Sequence, residues 1–412
     1  MNSCPLAIID PEGRVSPLRS DREIADGRSI LAALPPDTGM LLPKALVRHR
    51  RSGGGNALTL LVPPRTPPVD RIRRDDVITG FLASGPWAEL VSGWNECDAR
   101  ERCFRALSTV LNDGAASIAL DVVHSADAEE ELPAPNSISA DIILAHRGGD
   151  QYLGAALASV LGGNHAGRTI LCFDQKPDPA LCRELMQHEA LELYEVAPSP
   201  AGPYVPRQHF SFGSGARFVA FQDTDDVSLP ARIETLLAFA EARDADIVGC
   251  HELRCDELTR TVEAIRLPLD ANRGLDYGPG AVQLFSTTVT RTDCVRRLGG
   301  FSTIRTFGAD RQFQLRAHWS ARMLNMDAFL YVRRLRQGSL TTAADTGMQS
   351  QVRQEVNAAW REAFQARQEG RIALEESALR VEPAQTGFVI RDLRTGRTCP
   401  ALLDPGQTMP PA

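Results

Sequence analysis

Asp223-Thr224-Asp225-Asp226 places three carboxylates within four residues, directly after the apolar run Phe218–Gln222. Charges this close repel unless a cation or hydrogen-bond donors compensate them. Oxygen ligands at this spacing suit magnesium or manganese, which keep bound waters and associate with diphosphates. The same residues also suit capping, because Asp225 and Asp226 stand just before Ser228-Leu229-Pro230 and a helical pattern. The residues alone leave both readings open. Two further acids occupy comparable places: Asp174 follows Leu171-Cys172-Phe173, and Asp310 sits within Phe307–Phe313. Carboxylates at strand ends meet along one edge of an open sheet, where the ligands of such sheets bind.

The elements that would position these acids alternate. Short apolar runs predict strands at Asp141–Ala145, Thr169–Phe173, Leu191–Val196, Phe218–Gln222 and Ala245–Cys250. Leu153, Leu157, Val160 and Leu161 recur at helical spacing, Ala180–His188 predicts a second helix, and Pro230 opens a third with Ile233, Leu236, Leu237 and Ala240 as its stripe. Strands alternating with helices imply an α/β fold with a mostly parallel sheet and helices on both faces. Ser125–Ser137, with three consecutive glutamates and two prolines, reads as a linker. The expected organisation is an accessory α+β region over 1–124, the linker at 125–137, the chemistry-bearing domain over 138–345, and a helix plus hairpin over 346–412. In the first region Leu6–Asp10 and Leu58–Val62 read as strands and Glu101–Leu111 as a helix. In the last, Val352, Val356, Trp360, Ala363 and Phe364 mark one helix face. Pro5–Leu18 and Gly387–Leu403 share an order of features, an apolar run ending in Asp and a Gly-Arg pair starting the return strand. The expectation is one accessory module built from both ends, with separate docking as the alternative.

Composition narrows the classes. The chain has 412 residues, 43% hydrophobic and 24% charged, with a net charge of −7, which disfavours a nucleic-acid partner. Nine scattered cysteines form no C-x-x-C, so neither a disulfide framework nor a structural zinc site is expected, and a reducing, cytoplasmic location fits. No secretory signal opens the chain and no apolar run approaches the ~20 residues of a membrane helix, which leaves peripheral membrane contact open. Gly53-Gly54-Gly55 follows Arg48-His49-Arg50-Arg51 but lacks a Gly-Lys-Ser/Thr ending and reads as a loop. His146, His209, His251 and His318 show no metalloprotease spacing.

In this order the motifs resemble glycosyltransferase family 2, of the GT-A fold. Asp141–Arg147 stands at the family's first strand and turn, with Tyr152-Leu153 opening the helix after it. Asp174 matches the aspartate that closes the second strand, and Arg207-Gln208 resembles the Arg-Asn pair. The Asp-x-Asp-Asp motif is intact at Asp223–Asp226, the Gly-Gly-Phe segment is Gly299-Gly300-Phe301, and the downstream Glu-Asp resembles Ala309-Asp310, with Arg316 beyond it. Tyr331, Arg333, Arg334 and Gly338-Ser339-Leu340-Thr341 match the closing stretch. The likeness spans roughly residues 138–345.

The resemblance implies an inverting transferase that moves a sugar from a nucleoside-diphosphate sugar, UDP-linked, to an acceptor hydroxyl on a glycan, lipid carrier or peptide. Asp225 and Asp226 would hold manganese or magnesium, Asp223 the ribose or a metal-bound water, and Asp310 would be the general base. Ala145, Arg147 and Asp174 would face the nucleotide, and Arg207 and Arg336 the phosphates. Tyr277 and Phe285 fall on the acceptor side, with core packing the plainer reading of Phe285. The chain departs from the pattern in three places. Ala145-His146-Arg147 replaces Pro-Thr-Tyr, Ala309 precedes the base, and Arg336 stands where a histidine is common. These keep an inactive relative open; a sugar-phosphate nucleotidyltransferase, which shares the α/β core, and a peptide-modifying transferase, which carries extra segments around it, are the other rivals.

Overall fold

Parallel strands buried on both faces need near-continuous apolar sequence, and Thr169–Phe173 is buried at every position. The computed structural model describes residues 138–401 except 162, 164–165 and 383–386, and in the N-terminal part 7–9, 15–17, 29–33, 57–62, 73–76, 80–83, 99–113 and 119–123. The predicted linker at 125–137 and the Gly53–Gly55 loop lie outside the described residues.

A 12-stranded sheet organises the C-terminal two thirds. Its centre is four parallel strands in the order Phe218–Asp223, Ala140–His146, Thr169–Phe173 and Leu191–Ala197. The register sets Ala145 beside Asp223 and beside Cys172, so the strand-end residues gather at one edge. Beyond Phe218–Asp223 the antiparallel strand Val289–Arg291 intervenes. Next come Ile247–Asp256 and Met323–Leu335, parallel to one another. The expected α/β class with a largely parallel sheet and packed helices is what the chain forms.

Boundaries differ in places. The predicted strand at Ala245–Cys250 runs as Ile247–Asp256, because Met323–Leu335 pairs along its whole length. The helix expected from Pro230 spans Arg232–Ala242, after Ala231 at a left-handed φ of 59°. Val352 is 55% exposed and stands outside the face that Trp360 and Phe364 bury. The shared terminal module is also corrected. Ala7–Ile9 and Val15–Pro17 belong to a separate six-stranded sheet, whereas Val389–Asp392 and Thr398–Pro400 extend the large one beside Leu191–Ala197. The physical reason is an open edge: without this hairpin Leu191–Ala197 would present unpaired N–H and C=O groups.

Candidate active site

The carboxyl ends of Ala140–His146, Thr169–Phe173 and Phe218–Asp223 carry His146, Asp174 and the acidic turn. Each carboxylate of that turn has a partner. Asp223 Oδ1 accepts from Arg207 Nη2 at 2.6 Å. Asp225 Oδ2 accepts from Arg336 Nε at 2.8 Å. Asp226, 2% exposed, accepts the Arg334 amide at 2.8 Å. Burial, and then the charge on its acidic neighbours, pushes the Asp226 carboxyl well above the usual range. The same causes raise Asp225, against the pull of Arg336.

The middle of the turn is pinned from the other side. Burial holds the His146 imidazole below its ordinary value. The neutral ring fits its partners: Nε2 donates to Asp150 Oδ1 and Nδ1 accepts from the Thr224 hydroxyl, each at 2.9 Å. His146, read from sequence only as a departure, thus ties the acidic turn to the start of the Asp150–Leu161 helix. Arg334 adds a second anchor. Its guanidinium lies 4.0 Å from the Tyr152 ring centroid and donates to the Asp225 carbonyl at 3.1 Å and the Leu111 carbonyl at 2.9 Å, and it pairs with Glu257.

Asp174 is 2% exposed, and its oxygens accept from the Ala201 amide at 2.6 Å and the Gly202 amide at 2.8 Å. Its carboxylate therefore fixes the backbone at Ala201-Gly202, and the Asp174 carbonyl accepts the Ser199 hydroxyl at 2.6 Å. Arg147 stands in solvent with Nη1 4.0 Å from Asp174 Oδ2. Ala145 is half-buried on its strand. Arg316, conspicuous in sequence, is structural: it is buried and donates to the Gly300 and Leu379 carbonyls. Phe285 is core, its ring 4.6 Å from that of Phe221, whereas Tyr277 is 53% exposed.

Asp310 opens the Ala309–Ala317 helix after Gly308, whose added Cβ would meet Trp360 at 2.9 Å. Tyr204, 4% exposed, donates its hydroxyl to Asp310 Oδ1 at 2.8 Å. Burial raises the phenol well above its ordinary value, with the Asp310 charge adding to it, so Tyr204 stays a donor. Tyr204 and Arg207 are three residues apart on the Tyr204–Gly213 helix, which puts them on one face. That face connects the acidic turn to Asp310 through Asp223–Arg207 and Tyr204–Asp310, with the Arg207 guanidinium 5.7 Å from the Tyr204 ring centroid. The sequence reading named Arg207 and Asp310 and missed Tyr204. A tyrosine three residues before an arginine, at the start of a helix, was the available signal.

In these bonds each acid of the turn uses one of its two oxygens, on Arg207, Arg336 and the Arg334 amide. Among the described residues no three His, Cys, Asp or Glu side chains group to hold an ion. Magnesium or manganese held by Asp225 and Asp226 would complete its shell with water and diphosphate oxygens.

No family model and no curated protein matches the chain. Among solved structures, S. aureus TarS 1–349 in complex with UDP-GlcNAc is similar over 58% of this chain and 77% of that one, at 16% identity and a TM-score of 0.42. The UDP complex of TarS 1–349 covers the same shares at 15% identity and a TM-score of 0.40. The S. aureus TarS crystal structure is similar over 58% of this chain and 46% of that one, at 15% identity and a TM-score of 0.41. Likeness at this level assigns neither ligand nor reaction.

Proposed function

We propose that the chain is a glycosyltransferase of family 2 type on a GT-A-like fold, taking a UDP-linked sugar and transferring it with inversion. The observation that carries this reading is the Tyr204–Gly213 helix, which joins the Asp223–Asp226 turn to Asp310 by two side-chain contacts. Such a site has a donor end and a base end. The strand-end turn receives the nucleotide, as open α/β sheets receive ligands beyond their strand ends. Tyr204 occupies Oδ1 of Asp310, which leaves Oδ2 to take the acceptor hydroxyl proton. The acceptor oxygen then bonds to the anomeric carbon, the bond from that carbon to the diphosphate breaks, and the nucleoside diphosphate leaves with the electron pair. One base acting on the acceptor hydroxyl in a single displacement gives inversion.

Glycan, lipid-linked and peptide acceptors all present the required hydroxyl. Among the described residues no helix is long and apolar enough to cross a membrane. We place the reaction in the cytoplasm, with peripheral membrane contact wherever the acceptor is lipid-linked.

The test is incubation with a panel of UDP-sugars and acceptors, following UDP release and product anomeric configuration. UDP release with an inverted product is expected, and Asp310→Asn should slow it ~10²–10⁴-fold while UDP still binds. Pyrophosphate release from a sugar phosphate plus UTP would favour a nucleotidyltransferase. UDP binding without transfer to any acceptor would favour an inactive relative.

A further inference from the structure

A cavity of about 230 Å³ lies between the Gln351–Gln368 helix and the segment 376–382. Its floor is apolar, made by Val356, Ala359 and Trp360. Its rim carries two arginines and two glutamates: Arg305, Arg380, Glu376 and Glu382. Arg305 pairs with Glu382 through both terminal nitrogens, Nη2 meeting Oε1 at 2.8 Å. Arg380 and Glu376 are exposed, and neither has an ion-pair partner among the described residues. The cavity wall is fastened to the helix that carries Asp310. From that helix Gln312 Nε2 donates to the Ala378 carbonyl at 3.1 Å and the Arg380 carbonyl at 3.0 Å. Arg316 Nη1 donates to the Leu379 carbonyl between them at 3.2 Å. The floor touches the same helix start, where an added Cβ on Gly308 would meet the Trp360 ring at 2.9 Å. One set of contacts therefore holds both the cavity and Asp310, and it fixes where an occupant of the cavity stands relative to the base.

We propose that this cavity binds one neutral sugar ring of the acceptor, so that the acceptor is a glycan. The proposal rests on the transfer reading above and adds the acceptor's class to it. Size supports a single ring: the cavity is smaller than the ~300–1,000 Å³ of pockets for drug-sized ligands, too small for a whole nucleotide sugar. Charge supports a neutral one. Two arginines set against two glutamates leave no net charge to draw in a phosphate or a carboxylate. A guanidinium only donates and a carboxylate only accepts, whereas a sugar hydroxyl does both and can bridge the two. The apolar floor suits the C–H face of a ring, with the polar rim fixing its orientation. All these residues except Arg305 lie beyond residue 345, outside the span of the family likeness. The long C-terminal helix and the segment after it thereby gain a role in acceptor choice.

The experiment compares the full chain with two variants at exposed positions: Ala359→Trp, which fills the floor, and Arg380→Ala, which removes the unpaired donor. Saturation-transfer NMR with the methyl glycosides of glucose, galactose and N-acetylglucosamine reads binding, with glucose 6-phosphate and glucuronate as charged controls. At least one neutral glycoside should give a signal, and each variant should weaken its binding about fivefold or more. Circular dichroism melts check that both variants fold, and calorimetry should give all three proteins the same UDP affinity. In the UDP-release assay a glycan should serve as acceptor. Both variants should raise its KM about fivefold or more and keep kcat at saturating acceptor, a split that a general packing defect would not produce. Equal binding by the parent and both folded variants overturns the proposal. So do signals from the charged sugars alone, no signal from any glycoside, and transfer only to acceptors that carry no sugar. No binding of UDP or any UDP-sugar beside an intact glycoside signal overturns the transfer reading and leaves the sugar site standing.

Discussion

Asp310 has one oxygen engaged and one available, and the engaged one defines what its neighbour does. Asp310→Asn preserves shape and removes the base, so turnover should fall ~10²–10⁴-fold while UDP affinity measured by calorimetry is retained. Near-normal transfer by this variant would discard the assignment. Tyr204 acts through Asp310 and is a positioning residue. Tyr204→Phe removes one hydrogen bond to a charged group, a loss of ~1.5–3 kcal/mol, or about tenfold or more in kcat. A general packing defect would cost the same in any background. A positioning role predicts instead that Tyr204→Phe costs little further turnover once Asp310 is Asn. A double-mutant cycle on kcat separates the two, and additive losses would argue for mere packing.

Elements hold these side chains by contacts that are distant in sequence. Gln208, next to Arg207, accepts the Phe301 amide at 2.7 Å and donates to the Gly299 carbonyl at 3.2 Å, which docks the Gly-Gly-Phe segment on the helix of Tyr204. Gly300 has φ +68°, and a Cβ there would lie 2.0 Å from Gln208 Oε1. Gln208→Ala strands a buried amide and should cost ~1–3 kcal/mol by denaturant unfolding. Gly300→Ala adds strain and a clash, so it should lower stability and turnover together. An unchanged melting curve for Gly300→Ala would show that the segment can move aside. The sequence disclosed the parts of this assembly that are local. Apolar runs marked the central strands because both of their faces are buried. Met323–Leu335 escaped because Asn325, Asp327, Arg333 and Arg334 interrupt its apolar pattern, and long-range partners take the Asn325 amide nitrogen and the Arg334 guanidinium. The acidic turn was visible, but its compensation was not. Arg336 meets Asp225 across 111 residues and Tyr204 meets Asp310 across 106, separations that no local pattern encodes.

At the scale of the whole chain, the N-terminal part packs against the large sheet and the C-terminal hairpin extends it. The N-terminal part shares a core with it: Leu58, Leu60, Phe104, Leu107 and Val110 pack with Leu253, Val262, Phe329 and Val332. The Ala99–Asp113 helix also delivers the Leu111 carbonyl to Arg334, which in turn holds the Asp225 carbonyl. The C-terminal hairpin covers the opposite edge. Ile390 pairs with Val196 in register, and Phe388, Ile390 and Ala401 join the apolar cluster that includes Val196 and Phe210. Arg394 secures the end of that edge by donating to the Met186 carbonyl at 2.9 Å, the His188 carbonyl at 2.8 Å and the Leu191 carbonyl at 3.0 Å. Removing Thr386–Ala412 should therefore leave Leu191–Ala197 as an open edge, and its amides should exchange faster. Ala7–Ile9 and Val15–Pro17 pair within the other sheet and should keep their protection. Arg394→Ala is the milder version: it frees three carbonyls, should loosen the same edge over fewer residues, and leaves the hairpin itself in place. Hydrogen exchange read by mass spectrometry resolves both variants. Loss of protection at Ala7–Pro17 on deletion, with Leu191–Ala197 unchanged, would restore the single terminal module that the sheet order contradicts.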